Sequence, residues 1–170
     1  MTEQIQDTCT FDGKQWNIES LDGLDDCIPS SESLGFSTVP LHTANWAGRV
    51  DHFLIFKGQL FLFKIEVTLR ETDKEITPDG ARKEVRLIYE PLTEYAENGE
   101  KEIIRVHEYT YFIFDDLKID FTGELELSYP IGDPWDYPWS SLNEEDLEPT
   151  ESATLYFEKG RLIDTDVFVI

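Results

Sequence analysis

Apolar and polar positions in this chain alternate with period two far more often than with the 3.6 period of a helix. Ile119, Phe121, Leu125 and Leu127 fall on one side of such a run, with Asp120, Thr122, Glu124 and Glu126 on the other. A half-buried antiparallel strand requires this pattern. Val85, Leu87 and Tyr89 stand opposite Glu84, Arg86 and Glu90, and Ile104, Val106, Thr110, Phe112 and Phe114 form a long stripe interrupted by Glu108. Phe61, Phe63, Ile65 and Val67 alternate with Leu62, Lys64, Glu66 and Thr68, which predicts a strand buried on both faces at its start and half exposed at its end. Residues 167–170, Val-Phe-Val-Ile, read as a strand tied into a sheet.

Three of these runs are folded back by a glycine turn. Residues 9–18 carry Asp12-Gly13, residues 53–63 carry Lys57-Gly58, and residues 155–163 carry Lys159-Gly160. Glycine supplies the positive φ of a tight hairpin, and the flanking aromatic and β-branched residues suit a pleated surface. Asp115-Asp116, between two further runs, predicts a longer loop. Helical periodicity survives only at 140–147, with Ser140 or Ser141 as cap, and at 72–83, where Pro78-Asp79-Gly80 interrupts it. The expectation is one mainly β domain over residues 1–170. It would be an antiparallel β-sandwich or a partly closed β-barrel built from successive hairpins, with little helix, and 22–37 and 130–149 would be long loops within it.

Thr43-Ala-Asn-Trp-Ala-Gly48 leads into the hairpin at 53–65, and Phe121-Thr-Gly-Glu-Leu125 and Phe157-Glu-Lys-Gly-Arg-Leu162 follow downstream. Together these segments resemble an uncharacterised family of bacterial proteins in which a Thr-Ala-x-Trp-x-Gly-like segment precedes a strand, a glycine turn and a Leu-rich return strand. Arg49 stands where members of that family often carry tyrosine. The resemblance implies a bacterial β protein, and it brings neither an activity nor functional residues.

Composition narrows the partners. The 170 residues include 36 Asp and Glu against 14 Lys and Arg, a net charge of −22, while 40% hydrophobic and 13% aromatic content provides for a real core. Such a field repels phosphate backbones and anionic lipid. The densest basic stretch, residues 61–110, holds 8 bases interleaved with 12 acids, so no basic stripe is left for nucleic acid. Residues 111–170 hold 15 acids and 3 bases, the strongest negative field in the chain. No apolar run reaches the roughly 20 residues of a membrane helix, and the first residues have neither a basic nor an apolar leader segment. Cys9 and Cys27 lack Cys-x-x-Cys spacing. The expectation is therefore a reduced, cytoplasmic protein with no cofactor, no metal, and no nucleic-acid or membrane partner; its oligomeric state is left open.

Four places carry candidate chemistry. His42, Trp46, Arg49, Asp51 and His52 suggest acid–base work or metal binding, but Asp51 and His52 are adjacent and would face opposite sides of a strand. Neither Gly-x-Ser-x-Gly nor His-Glu-x-x-His occurs, and the structural alternative has Trp46 in the core and Arg49 paired with an acid. Residues 129–139 form a proline-stiffened loop in which Trp135, Tyr137 and Trp139 supply amphipathic area beside Asp133 and Asp136. That is the composition of an interface or of a sugar-stacking platform, and equally of an aromatic lid on the core. Glu144, Glu145, Asp146, Glu148 and Glu151 extend the acidic field, without the spacing of a calcium loop. Asp22-Gly-Leu-Asp-Asp-Cys-Ile-Pro29 reads as a turn-rich connection whose acids would raise the Cys27 thiol.

The leading functional expectation is a non-catalytic interaction protein that binds a basic protein through Trp135, Tyr137, Trp139, Asp133 and Asp136, for example an immunity protein against a cationic toxin. Its competitor is a carbohydrate- or small-ligand-binding β domain, hydrolytic if Glu124, Glu126, Asp133 and Asp136 form carboxylate pairs. Acidic mimicry of DNA is a third alternative.

Overall fold

A computed structural model describes residues 7–20, 23–38, 48–129 and 150–170. Nine strands follow in chain order: β1 (Thr8–Phe11), β2 (Lys14–Ser20), β3 (Arg49–Phe56), β4 (Gln59–Val67), β5 (Ala81–Ala96), β6 (Gly99–Phe114), β7 (Gly123–Tyr129), β8 (Glu151–Glu158) and β9 (Arg161–Val169). Two short 3-10 turns, Asp25–Cys27 and Glu71–Asp73, are the helical elements among the described residues. The 72–83 expectation is therefore corrected. Further turns follow the 3-10 turn, and β5 begins just after Pro78-Asp79-Gly80, which no helix could cross. The 140–147 candidate lies outside the described residues.

The three predicted glycine turns close β1–β2, β3–β4 and β8–β9. In each, both central residues have positive φ, for instance 50° at Lys57 and 75° at Gly58. The twist of such turns matches that of the strands they join.

The strands form one sheet that closes on itself. The ring runs β3-β1-β2-β7-β8-β9-β4 and returns to β3, while β6 and then β5 extend from β4. This is a partly closed barrel, and the sandwich alternative is dropped. One pairing departs from the antiparallel expectation: β1 lies parallel to β3 over Thr8, Cys9 and Thr10.

The seam between β9 and β4 is narrow, with Gln59 facing Arg161 as the only ladder pair. Residues 117–121 fill it. Leu62 N–H donates to Leu117 O at 3.0 Å, Ile119 N–H to Leu60 O at 3.0 Å, and Gly160 N–H to Phe121 O at 2.8 Å. Gly160 has φ +79°, and a Cβ there would stand 2.3 Å from Ile119 O. Only glycine lets the turn approach the seam so closely.

Trp16, Phe53, Leu62, Ile65, Phe112 and Leu155 are among the side chains buried inside the ring, and Leu24 and Phe36 reach in from the 23–38 segment. One expected face is corrected. Phe53 opposes Leu62 while His52 opposes Lys64, so Phe63 is an extra residue in β4. The bulge shifts the parity, and Leu60, Leu62, Ile65 and Val67 point inward instead of Phe61 and Phe63. Leu125 and Leu127 are buried as expected, although β7 starts only at Gly123. The residues before it, with Ile119 and Phe121 buried, form the longer loop predicted at Asp115-Asp116.

Residues 167–169 end β9 as expected, and Ile170 N–H donates to Thr150 O at 2.9 Å. Their side chains, however, are exposed.

Candidate functional site

Arg49, Asp51 and His52 sit on β3, and the alternation of the strand separates them into two clusters. On one side the Arg49 guanidinium forks onto Asp51, with Nε to Oδ1 at 2.7 Å and Nη2 to Oδ2 at 3.3 Å. Asp7 joins them by accepting the Asp51 backbone N–H at 2.8 Å. Burial, and then the Asp51 carboxylate, push the Asp7 carboxyl up to about 7, while the Asp51 amide and Arg49 oppose the rise. Asp7 therefore holds its proton through the mildly acidic range, beside the Arg49–Asp51 pair.

On the other side His52 Nδ1 lies 2.6 Å from Thr8 Oγ1, and His52 Nε2 lies 3.4 Å from Glu66 Oε2. Hydroxyl, imidazole and carboxylate thus stand in line, an order that nucleophilic catalysis also uses. Thr8 and His52 are only 7% and 8% exposed, and Gln15 Nε2 already donates to the Thr8 hydroxyl at 3.1 Å. The network bridges β1 and β3 where their parallel ladder is three pairs long, which is a registering role. Nearby, burial first and Glu66 second push the Tyr109 phenol up to about 12. His42 and Trp46 lie outside the described residues.

Trp135, Tyr137, Trp139, Asp133 and Asp136 also lie outside the described residues, as do Glu144, Glu145, Asp146 and Glu148. Glu124 and Glu126 share the outer face of β7, two residues apart and exposed. Glu126 lines a groove of about 410 Å³ with Glu19, Ser128, Ser152, Thr154 and Phe168, and the Ser128 hydroxyl donates to the Glu19 carboxylate. Cys9 and Cys27 are free thiols. Burial pushes Cys9 up to about 12; Cys27 is raised by partial burial and then by Asp120 and Asp26. Among the described residues, no three metal-binding side chains gather, and no helix is long and apolar enough to cross a membrane.

Among the described residues, a long row of exposed apolar side chains lies on the β5–β6 ribbon. Its strands are 16 residues each, paired from Ala81↔Phe114 to Ala96↔Gly99, while β4 supports β6 only through 110–113. Some dozen pairs therefore project from the barrel as a two-stranded arm. The face that forms core at Phe112 and Phe114 continues outward along it. It bears Val85, Leu87, Tyr89 and Tyr95 from β5 and Ile104 and Val106 from β6, each between 49% and 79% exposed.

The charged residues on this stretch of the face, Glu100, Glu102 and Glu108, are all acidic, and Lys74 reaches Glu108 at 3.4 Å. The opposite face sets acids against bases, Glu90 across from Arg105 and Glu94 across from Lys101. Glu97-Asn98 forms the turn, followed by Gly99 at φ 110°, and the Asn-Gly sequence between two alternating runs was the signal that could have located this arm.

The class is thus a seven-stranded, partly closed barrel carrying a long β-ribbon arm. The chain matches no family model, no curated protein and no solved structure.

Proposed function

We propose that this protein is a non-catalytic interaction module that binds a basic protein, with the β5–β6 arm as its docking surface. An immunity protein that holds a cationic toxin would be one instance of the class. The observation that carries the reading is the apolar face of the arm, six large side chains about half or more exposed, on which the charges beyond Val85 are the carboxylates Glu100, Glu102 and Glu108. A two-stranded ribbon alone in water is marginally stable, and a third strand or a covering layer is what makes it firm. A contiguous exposed apolar surface rimmed by charge is the usual mark of an interaction site. With −22 on the chain, encounter with a cationic partner is accelerated, and the buried apolar and aromatic contacts then supply most of the affinity.

The test is capture from native lysate at about 0.15 M salt, where exposed charges are screened beyond about 8 Å. Wild type is compared with a Leu87→Ser/Ile104→Ser variant. A basic partner retained by wild type and lost by the variant is the expected result. Equal retention by both, or a partner as acidic as the protein itself, would refute the reading. Trp135→Ala/Trp139→Ala in parallel measures what that stretch adds.

A further inference from the structure

The two long edges of the arm are not equivalent. Ala96 and Gly99 flank a two-residue turn, so that pair exchanges hydrogen bonds across the ribbon, and bonded pairs recur at every second residue from it. Odd-numbered residues of β5 and even-numbered residues of β6 therefore turn their amides and carbonyls outward. On β5 this outward row contains Pro91 at its middle, between Tyr89 and Thr93. Proline offers no N–H and puts a ring where an incoming strand would lie. On β6 the outward row is Glu100, Glu102, Ile104, Val106 and Glu108, with no proline.

The same β6 edge is already in use farther along. Val67 pairs with Thr110 and Ile65 with Phe112, both on the outward row. Beyond Thr110 the row continues without a ladder partner among the described residues, and from Glu100 to Glu108 its residues are exposed. From Glu100 to Val106 it spans about 20 Å at the usual strand rise.

We infer that this edge, Glu100 to Val106, receives an extended segment of the basic partner as an added β-strand, which specifies the binding mode for the function proposed above and rests on it. Backbone hydrogen bonds from the outward row would hold the segment, and side chains on the shared face would select it. Next to Ile104 and Val106 that face calls for apolar residues, and next to Glu100 and Glu102 it calls for lysine or arginine. A second copy of this chain suits the edge poorly, since it would bring another row of glutamates, and another −22, against the first.

The probe is a capped eight-residue peptide, Val-Thr-Val-Thr-Lys-Thr-Lys-Thr, which sets two valines and then two lysines on one face of a strand, with its glutamate-for-lysine counterpart as control. Binding is read by fluorescence anisotropy, and its place by amide hydrogen exchange. The expected result is slowed exchange at Glu102, Ile104 and Val106 and no binding of the control. Val106→Pro should weaken binding about tenfold or more, the equivalent of at least one lost backbone contact. The Val106 N–H faces away from β5, so the ribbon keeps its own bonds, as it does around Pro91, and circular dichroism checks this. Glu100→Lys/Glu102→Lys should weaken binding comparably without touching the backbone.

Val106→Pro binding like wild type, or slowed exchange at Leu87 and Tyr89 instead, overturns the strand addition. If Leu87→Ser abolishes binding while Val106→Pro leaves it intact, the interaction reading survives and only the strand is lost. Binding that ignores all these variants overturns both.

Discussion

Replacing Asp7 with asparagine should change how the stability of this protein depends on pH. The Asp7 carboxyl is raised from 3.8 to about 7, chiefly by burial and then by the neighbouring Asp51 carboxylate. The folded state therefore holds a proton on Asp7 that the unfolded chain has already released. Wild-type stability from this group is fully present below pH 4 and is lost as pH rises to about 7. At 1.36 kcal/mol per pKa unit, the full shift is an upper bound of about 4 kcal/mol, of which about 2–3 kcal/mol falls between pH 5 and pH 8. Asparagine keeps a side-chain oxygen to accept the Asp51 N–H but has no charge to bury. Asp7→Asn should accordingly outlast wild type at pH 8, and the advantage should shrink toward pH 5. Urea unfolding at pH 5, 6, 7 and 8 reads the difference directly. In thermal melts the change in the gap should be about 5–10 °C, at about 2–4 °C per kcal/mol for a chain of this size. A gap that stays constant across this range would refute the assignment of the raised carboxyl to Asp7. A gap that widens as pH falls would reverse the sign.

Gly160→Ala should cost about 2–4 kcal/mol in urea unfolding, because it combines a positive φ with a Cβ pressed against Ile119 O. Gly58→Ala has the same kind of φ and open space around it, so it should cost only about 1–2 kcal/mol; equal losses would mean that the seam is not packed as described. One thiol should react with Ellman's reagent in the native protein and two after denaturation, since Cys9 is fully buried and its thiol is pushed up to about 12. Two thiols reacting at one rate in the native state would contradict that burial. Leu87→Ser and Ile104→Ser should each change stability by less than about 0.5 kcal/mol, because both side chains are half or more exposed. A larger loss would show that something in the free protein already covers the arm.

The hairpins were legible because glycine turns are local. Asp12-Gly13, Lys57-Gly58 and Lys159-Gly160 demand φ values that few other dipeptides tolerate, and strand alternation extends from each without long-range information. Closure was not local. It depends on residues 117–121 entering the seam between β4 and β9 and on a three-residue parallel contact between β1 and β3, and neither leaves a periodic trace. The Phe63 bulge shows the same limit at single-residue scale: one inserted residue moves every later side chain to the other face, and the composition of β4 is apolar enough on both faces to conceal it.

The clusters on β3 were half visible. The separation of Asp51 from His52 follows from alternation, but their partners Asp7, Thr8 and Glu66 come from other strands that only the register brings alongside. The arm is the instructive case. Its two faces were read correctly, with Val85, Leu87 and Tyr89 on one and Glu84, Arg86 and Glu90 on the other. Alternation states which side chains share a face and is silent on what lies over it. In β7 the apolar row covers a core; in β5 and β6 the same grammar runs past the end of β4 into solvent. An apolar row exposed among the described residues, with carboxylates beyond Val85 and no proline along the β6 edge, is the surface on which the proposed binding function rests.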